Sequence, residues 1–167
     1  MVMPRKQAVY AVFFAAIVLL AGCATPTRDG IQGMPEHSVW RGRLAVQVKA
    51  EPPQSFSAGF ELTGTPVLGE LTLYTPLGST AAALSWSSQT AIMRAQGEVR
   101  HFESLASLIK EAVGTEIPVV ALFAWLAGDN MRVAGWNADL SQHATGRITA
   151  RRTAPAPAAE LRLVLDQ

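Results

Sequence analysis

Charge is what this chain of 167 residues has least of: Asp, Glu, Lys and Arg make up 16% of it, against about 25% in an ordinary soluble domain. Its surface is therefore thinly covered, and apolar positions must be well buried or face something other than water. The 14 basic and 13 acidic residues nearly cancel, which excludes the strongly basic footprint of a nucleic-acid binder. A single cysteine excludes an internal disulfide, and three scattered histidines supply no metal-ligand spacing. Glycine-rich phosphate loops of either common type are missing, so no nucleotide cofactor is expected. His101 and His143 are candidates to serve Ser79 or Ser107, but no Gly-x-Ser-x-Gly elbow frames either serine. Glu98, Glu103, Glu111 and Glu116 read as a solvated face rather than a paired acid and base. No catalytic residue, metal or cofactor is expected, and enzyme activity is the weaker reading.

What is present begins with an export signal. Arg5 and Lys6 form a basic start, Ala8 to Leu19 is an unbroken apolar run, and Leu20-Ala21-Gly22-Cys23 closes it. The run is too short for the roughly 20 residues that span a bilayer as a helix. The four closing residues resemble a bacterial lipobox, which implies cleavage before Cys23 and acylation of its thiol and amine. The plain alternative is a secretory cleavage site that leaves a free thiol. Several acyl chains anchor firmly where one holds marginally, each buried methylene contributing about 0.8 kcal/mol. Ala24 and Thr25 follow the cysteine, and the first of these positions lacks the aspartate that marks inner-membrane retention in enterobacteria, which implies sorting to the outer membrane. The reading divides the chain into a removed signal at 1–22, a lipidated tether at 23–38, poor in apolar residues, and one folded domain at 39–167.

Within the domain, apolar residues alternate with polar or small ones at Leu44–Val48, Phe56–Leu62, Leu71–Tyr74, Ala82–Trp86 and Ala91–Met93. The period of two predicts five strands in an antiparallel meander. The period then lengthens: Leu105, Leu108, Ile109 and Ala112 lie on one face of a helix with Ser104 as N-cap and Gly114 past its end. A second helix is predicted from Pro118 to about Ala127. It carries no charge at all, so it is buried on several sides or faces lipid. Weaker strands are predicted at 132–136 and 146–151 and a firmer one at Leu161–Leu165, with the proline-rich 154–159 as a stiff connector. The inward positions of the strands are apolar throughout, which leaves two interiors open: one filled by its own side chains, the commoner outcome, and one held open for lipid.

Pro76 and Gly78 mark a turn between the third and fourth strands, yet Leu77 stands between them, where turn chemistry favours Asn, Asp or Ser. It either projects outward or folds back on the domain. The lipobox ending at Cys23, Trp40-Arg41-Gly42-Arg43-Leu44-Ala45-Val46, Pro76-Leu77-Gly78-Ser79-Thr80, Ile117-Pro118 and Trp125-Leu126-Ala127-Gly128 together resemble the LolB family of outer-membrane lipoproteins. The likeness spans most of residues 23–167. It departs from the family in a short tether, in Leu62 where a tryptophan is usual, and in an abbreviated stretch after Gly128.

The resemblance implies an α+β fold: a curved antiparallel sheet forming an incomplete β-barrel around an apolar cavity, with two or three helices as lid or plug. It implies that Leu44, Val46, Val48, Phe60, Leu62, Leu71, Leu73, Leu84, Trp86, Met93, Leu108, Ile109, Phe123, Leu126 and Leu163 contact acyl chains. Pro76, Leu77 and Gly78 would form a membrane-insertion loop. The implied activity is to accept lipoproteins from the periplasmic carrier LolA and insert them into the inner leaflet of the outer membrane. The implied partners are that carrier, lipoprotein clients and outer-membrane phospholipids, with the chain a monomer facing the periplasm. Two other classes stay open, a lipid-anchored binder of another amphiphile and an envelope assembly scaffold.

Overall fold

The computed structural model describes residues 39–166. The signal, Cys23 and the tether lie outside that range. Nine strands form a single sheet: β1 (Val39–Lys49), β2 (Gln54–Gly64), β3 (Gly69–Tyr74), β4 (Thr80–Trp86), β5 (Ala91–Ala95), β6 (Glu98–Phe102), β7 (Trp136–Asp139), β8 (Arg147–Arg152) and β9 (Ala158–Leu165). Two helices, α1 (Leu105–Val113) and α2 (Val119–Leu126), lie between β6 and β7 in the chain. The sheet order is β6-β5-β4-β3-β2-β1-β9-β8-β7, antiparallel throughout. β6 and β7 stay unpaired with each other, so the barrel is incomplete.

Pleating sends alternate residues to opposite faces. On β1, Leu44, Val46 and Val48 are buried while Arg41, Arg43, Gln47 and Lys49 are exposed. Register then carries the apolar face from strand to strand. Leu62 pairs with Leu71, Leu71 with Leu84 and Leu84 with Met93. On the other side Leu44 pairs with Leu163, which pairs with Ile148. Slipping any strand by one residue would turn this hydrocarbon face out to water, so the core itself fixes the register. Gly69 is needed for one close approach, since a Cβ there would lie 2.5 Å from the Trp86 ring.

The structure adds a strand the alternation does not reveal. β6 turns Glu98, Arg100 and Phe102 toward the face that β5 lines with Ala95, Met93 and Ala91, its cross-strand partners. Its outward Val99 is exposed, so no buried apolar face announces it. The hairpin comes from Gln96-Gly97, both at positive φ (53° and 81°), which suits the right-handed twist of the flanking strands. A second correction concerns the strand predicted at 132–136. There only Val133 makes an isolated bridge, to Trp136, and the strand proper starts at Trp136. The connector predicted at 154–159 is shorter, because Ala158 and Ala159 already belong to β9.

α1 starts with a reciprocal capping box, Ser104 and Ser107 each accepting the other's backbone N–H at 3.1 and 3.2 Å, and ends at Gly114 in the left-handed region. α2 starts one residue later than the sequence predicts, with Pro118 as the cap residue rather than the first helical one. Ala121, Phe123, Trp125 and Leu126 are buried and Val120 is exposed. Every backbone-to-backbone hydrogen bond of α2 and its caps is local, so contacts made by side chains hold it to the rest of the domain.

Candidate functional site

The two helices close the hollow of the curved sheet. Between them and the strands lies a cavity lined only by apolar side chains: Leu44, Val46, Phe60, Leu62, Leu71, Trp86, Ile109, Val113, Ile117, Val119, Leu122, Phe123, Leu126, Leu161 and Leu163. Its volume is about 40 Å³. That is near the space of a single water, about 30 Å³, and far below the several hundred that a bound small molecule occupies. The described conformation is closed, its hollow filled by its own side chains.

Aromatic rings do much of the filling. Phe123 meets the Trp40 ring edge-on at 5.4 Å and the Trp86 ring at 6.4 Å. The Trp86 indole N–H donates to the Thr65 carbonyl at 3.0 Å, which locks the ring over Gly69. Trp125, fully buried, donates to the Met131 carbonyl at 3.0 Å. Trp86 and Trp125 thus each satisfy their one polar atom on a backbone carbonyl and keep the ring's hydrocarbon buried.

Of the residues expected to contact acyl chains, Leu44, Val46, Phe60, Leu62, Leu71, Trp86, Ile109, Phe123, Leu126 and Leu163 border the cavity, whereas Val48, Leu73, Leu84, Met93 and Leu108 are buried without bordering it. Val48 instead lines a groove of about 190 Å³ with Phe56, Val113 and Gly114. Val113, Ile117, Val119, Leu122 and Leu161 complete the cavity wall and are not among the expected residues. Their signal was spacing: Val113 follows Ile109 by one turn, and Val119, Leu122 and Leu126 share a stripe on α2.

Two polar ties hold the ends of the helical segment. Arg152 points inward from β8 and donates to the Thr115 hydroxyl and the Pro157 carbonyl, both at 2.9 Å, while lying 5.6 Å from the Trp136 ring centre. It fixes the α1–α2 connection. At the other end, a ring nitrogen of His143 lies 3.1 Å from the Leu126 carbonyl. The catalytic candidates are thereby dispersed into structural positions. Ser107 caps α1, Ser79 bonds Thr75 at 2.8 Å, and His101 stands exposed on β6. Glu111 and Glu116 form surface ion pairs with Arg100 and Lys110. Among the described residues, no three His, Cys, Asp or Glu side chains gather as metal ligands.

The β3–β4 loop answers the question that Leu77 poses. Gly78 donates to the Thr75 carbonyl at 2.9 Å, closing a turn with Pro76 in its favoured second place. Thr75 donates in turn to the Ser79 carbonyl at 2.8 Å, and their hydroxyls bond each other. Braced in this way, Leu77 projects with 96% of its surface in solvent. A large aliphatic side chain held that far from any neighbour is poised for an apolar partner outside the molecule.

Comparison with known proteins follows the same lines. The family "Outer membrane lipoprotein LolB" matches residues 37–165. Among individual relatives, the outer-membrane lipoprotein LolB of Bordetella pertussis is 30% identical over 92% of this chain and 90% of its own. That of Neisseria meningitidis is 33% identical over 72% of this chain and 63% of its own. The Shewanella woodyi protein of the same name is 30% identical over 68% of this chain, and the match spans little more than half of its length, 55%.

Proposed function

The chain belongs to the outer-membrane lipoprotein LolB family, and from that premise we propose that it receives lipoproteins at the outer membrane from the periplasmic carrier and releases them into the inner leaflet. On this reading Cys23 carries the lipid anchor after residues 1–22 are removed, 23–38 is the tether, and the domain from residue 39 works as a monomer on the periplasmic side. The chemistry is transport of acyl chains rather than catalysis. The observation that carries the reading is the pairing of a wholly apolar hollow, capped by the uncharged α2, with a braced loop that holds Leu77 in solvent.

A triacylated client has dozens of methylenes, each costing about 0.8 kcal/mol to expose. Release into water is therefore forbidden in practice, and the chains must pass from one apolar enclosure to the next. No nucleotide drives the step, so direction comes from rising affinity: carrier, receptor, bilayer. The closed cavity of about 40 Å³ means that room for a chain is made when α2, and α1 with it, moves off the sheet. The filled interior is an advantage here. Its own side chains cover the hollow between clients, and an acyl chain replaces one set of hydrocarbon contacts with another. Leu77 then enters the leaflet and lowers the barrier to the last transfer. The test mixes carrier loaded with radiolabelled lipoprotein with a Cys23→Ala chain, which has no anchor of its own. Label is expected to move to the chain, and Leu77→Glu is expected to receive label but fail to pass it to vesicles. Label that stays on the carrier would refute receipt; normal delivery by Leu77→Glu would refute the role of the loop.

A further inference from the structure

Beside the Leu77 loop lies a cleft of mixed polar and apolar lining that transfer of acyl chains does not require. β2 runs on past the end of β3: Gly59 pairs with Tyr74, while Gln54–Ala58 have β1 on one side and no strand on the other. The loop stands alongside this free edge, and the cleft between them, about 360 Å³, is bordered by Arg43, Ser57, Thr75 and Pro76 together with Leu44, Ala58 and Gly59. Arg43 belongs to β1, and its cross-strand partner is Gly59. The Tyr74 side chain covers Gly59, 3.4 Å from where a Cβ there would lie, so Arg43 and the foot of the loop face each other across the Tyr74 ring. Arg43 is exposed and makes no ion pair among the described residues, and Ser57 has no side-chain partner there either.

Arg43 and Arg147 flank the exposed Val164 on the outer face, each pairing with it across a strand boundary. Arg41, Arg151 and Arg162 are balanced by Glu61, Glu160, Asp139 and Asp166, whereas Arg43 and Arg147 make no ion pair among the described residues. Arg43 is thus the cation that borders the cleft at the root of the loop holding Leu77. Hydrophobic anchor and cation together are what interfacial binding uses. Guanidinium is the cation that matches phosphate geometry with two parallel hydrogen bonds, and hydroxyls beside it add neutral donors.

We propose that Arg43, with Ser57 and Thr75, binds the phosphate of an anionic phospholipid head group, so that Leu77 enters the leaflet next to a lipid already held at the root of its loop. This rests on Leu77 being the membrane-entering residue. It is tested with the Cys23→Ala chain, by cosedimentation with vesicles of phosphatidylcholine alone and of phosphatidylcholine with phosphatidylglycerol. Tighter binding to the anionic vesicles is expected. Arg43→Gln should lose about fivefold on them, the effect of one cation near such a surface, and Arg43→Lys should recover part of the loss. An unchanged melting temperature in both variants separates this from misfolding. Equal binding of the two vesicle types, or undiminished binding by Arg43→Gln, would overturn the proposal. So would calorimetric binding of inorganic phosphate without preference for anionic vesicles, which assigns the cleft to a free anion. Impaired receipt from loaded carrier with vesicle binding unaltered would assign Arg43 to an acidic protein surface and overturn it too. The vesicle assay contains neither carrier nor client, so its failure leaves the transfer reading standing, and failure of transfer leaves the vesicle result standing.

Discussion

Leu77 and Leu84 are the same amino acid with opposite duties, and exposure decides which. Leu84 is 1% exposed, in the row Leu62–Leu71–Leu84–Met93. Leu84→Ala should cost about 2–5 kcal/mol through lost transfer energy and the void it leaves. Leu77→Ala removes nothing the fold relies on and should lie within about 0.5 kcal/mol of the parent in urea melts, while slowing release of clients into vesicles. Glu160 illustrates a third duty. Arg151, donating to it at 2.6 Å, holds its carboxyl below the ordinary value against the opposing effect of burial, and Arg162 adds to the lowering. A carboxyl lowered on folding contributes stability above its unfolded pKa of about 4.3 and loses it as pH falls through the folded value. Glu160→Gln should therefore cost less than about 1 kcal/mol at neutral pH, as partly exposed pairs do, and should flatten the acid limb of a stability profile below about pH 4.5. The burial half of this contrast was readable in the alternation of β1 through β5. The exposure of Leu77 was not, since it depends on hydrogen bonds among Thr75, Gly78 and Ser79 that no periodicity encodes.

Among the elements, α2 differs most from what a stable surface helix needs. It has no side-chain N-cap bond and no charge in either terminal turn, whereas α1 has a capping box and Lys110 near its C-terminus. Ser104→Ala should cost α1 about 1 kcal/mol. The stability of α2 comes from Phe123, Trp125 and Leu126 packed beneath it, with His143 and Arg152 tying down its flanks. Elements held by side chains alone open at lower free energy than paired strands. Hydrogen exchange should accordingly show α2 amides exchanging faster than those of β1 and β2; equal protection would argue against a moving lid. The uncharged stretch from Pro118 to Ala127 announced this helix and its burial. β6 escaped notice because Glu98 and Arg100 face inward and a Gln-Gly turn makes the hairpin, and β7 was expected too early, at 132–136, a stretch that is mostly loop before the strand starts at Trp136.

At the scale of the whole molecule, an open antiparallel sheet resolves a conflict between two requirements. A lipid-handling interior must be hydrocarbon throughout, yet such a surface cannot be left to water. The sheet supplies the hydrocarbon wall, and the gap between β6 and β7 leaves the wall unclosed, so that α1 and α2 can cover it without being woven into it. That the interior is apolar could be read from the inward strand positions; that it is filled to within about 40 Å³ could not, because filling depends on the angles at which Trp40, Trp86 and Phe123 meet. The central claim is that this closed interior opens to hold acyl chains. The most direct measurement places a photocrosslinking side chain at Phe123, inside, or at Val164, on the outer face, and exposes each variant to carrier loaded with a lipoprotein labelled on its acyl chains. Capture of the label at Phe123 and not at Val164 is the predicted result. Capture at Val164 alone, or at neither position while transfer proceeds, would contradict it.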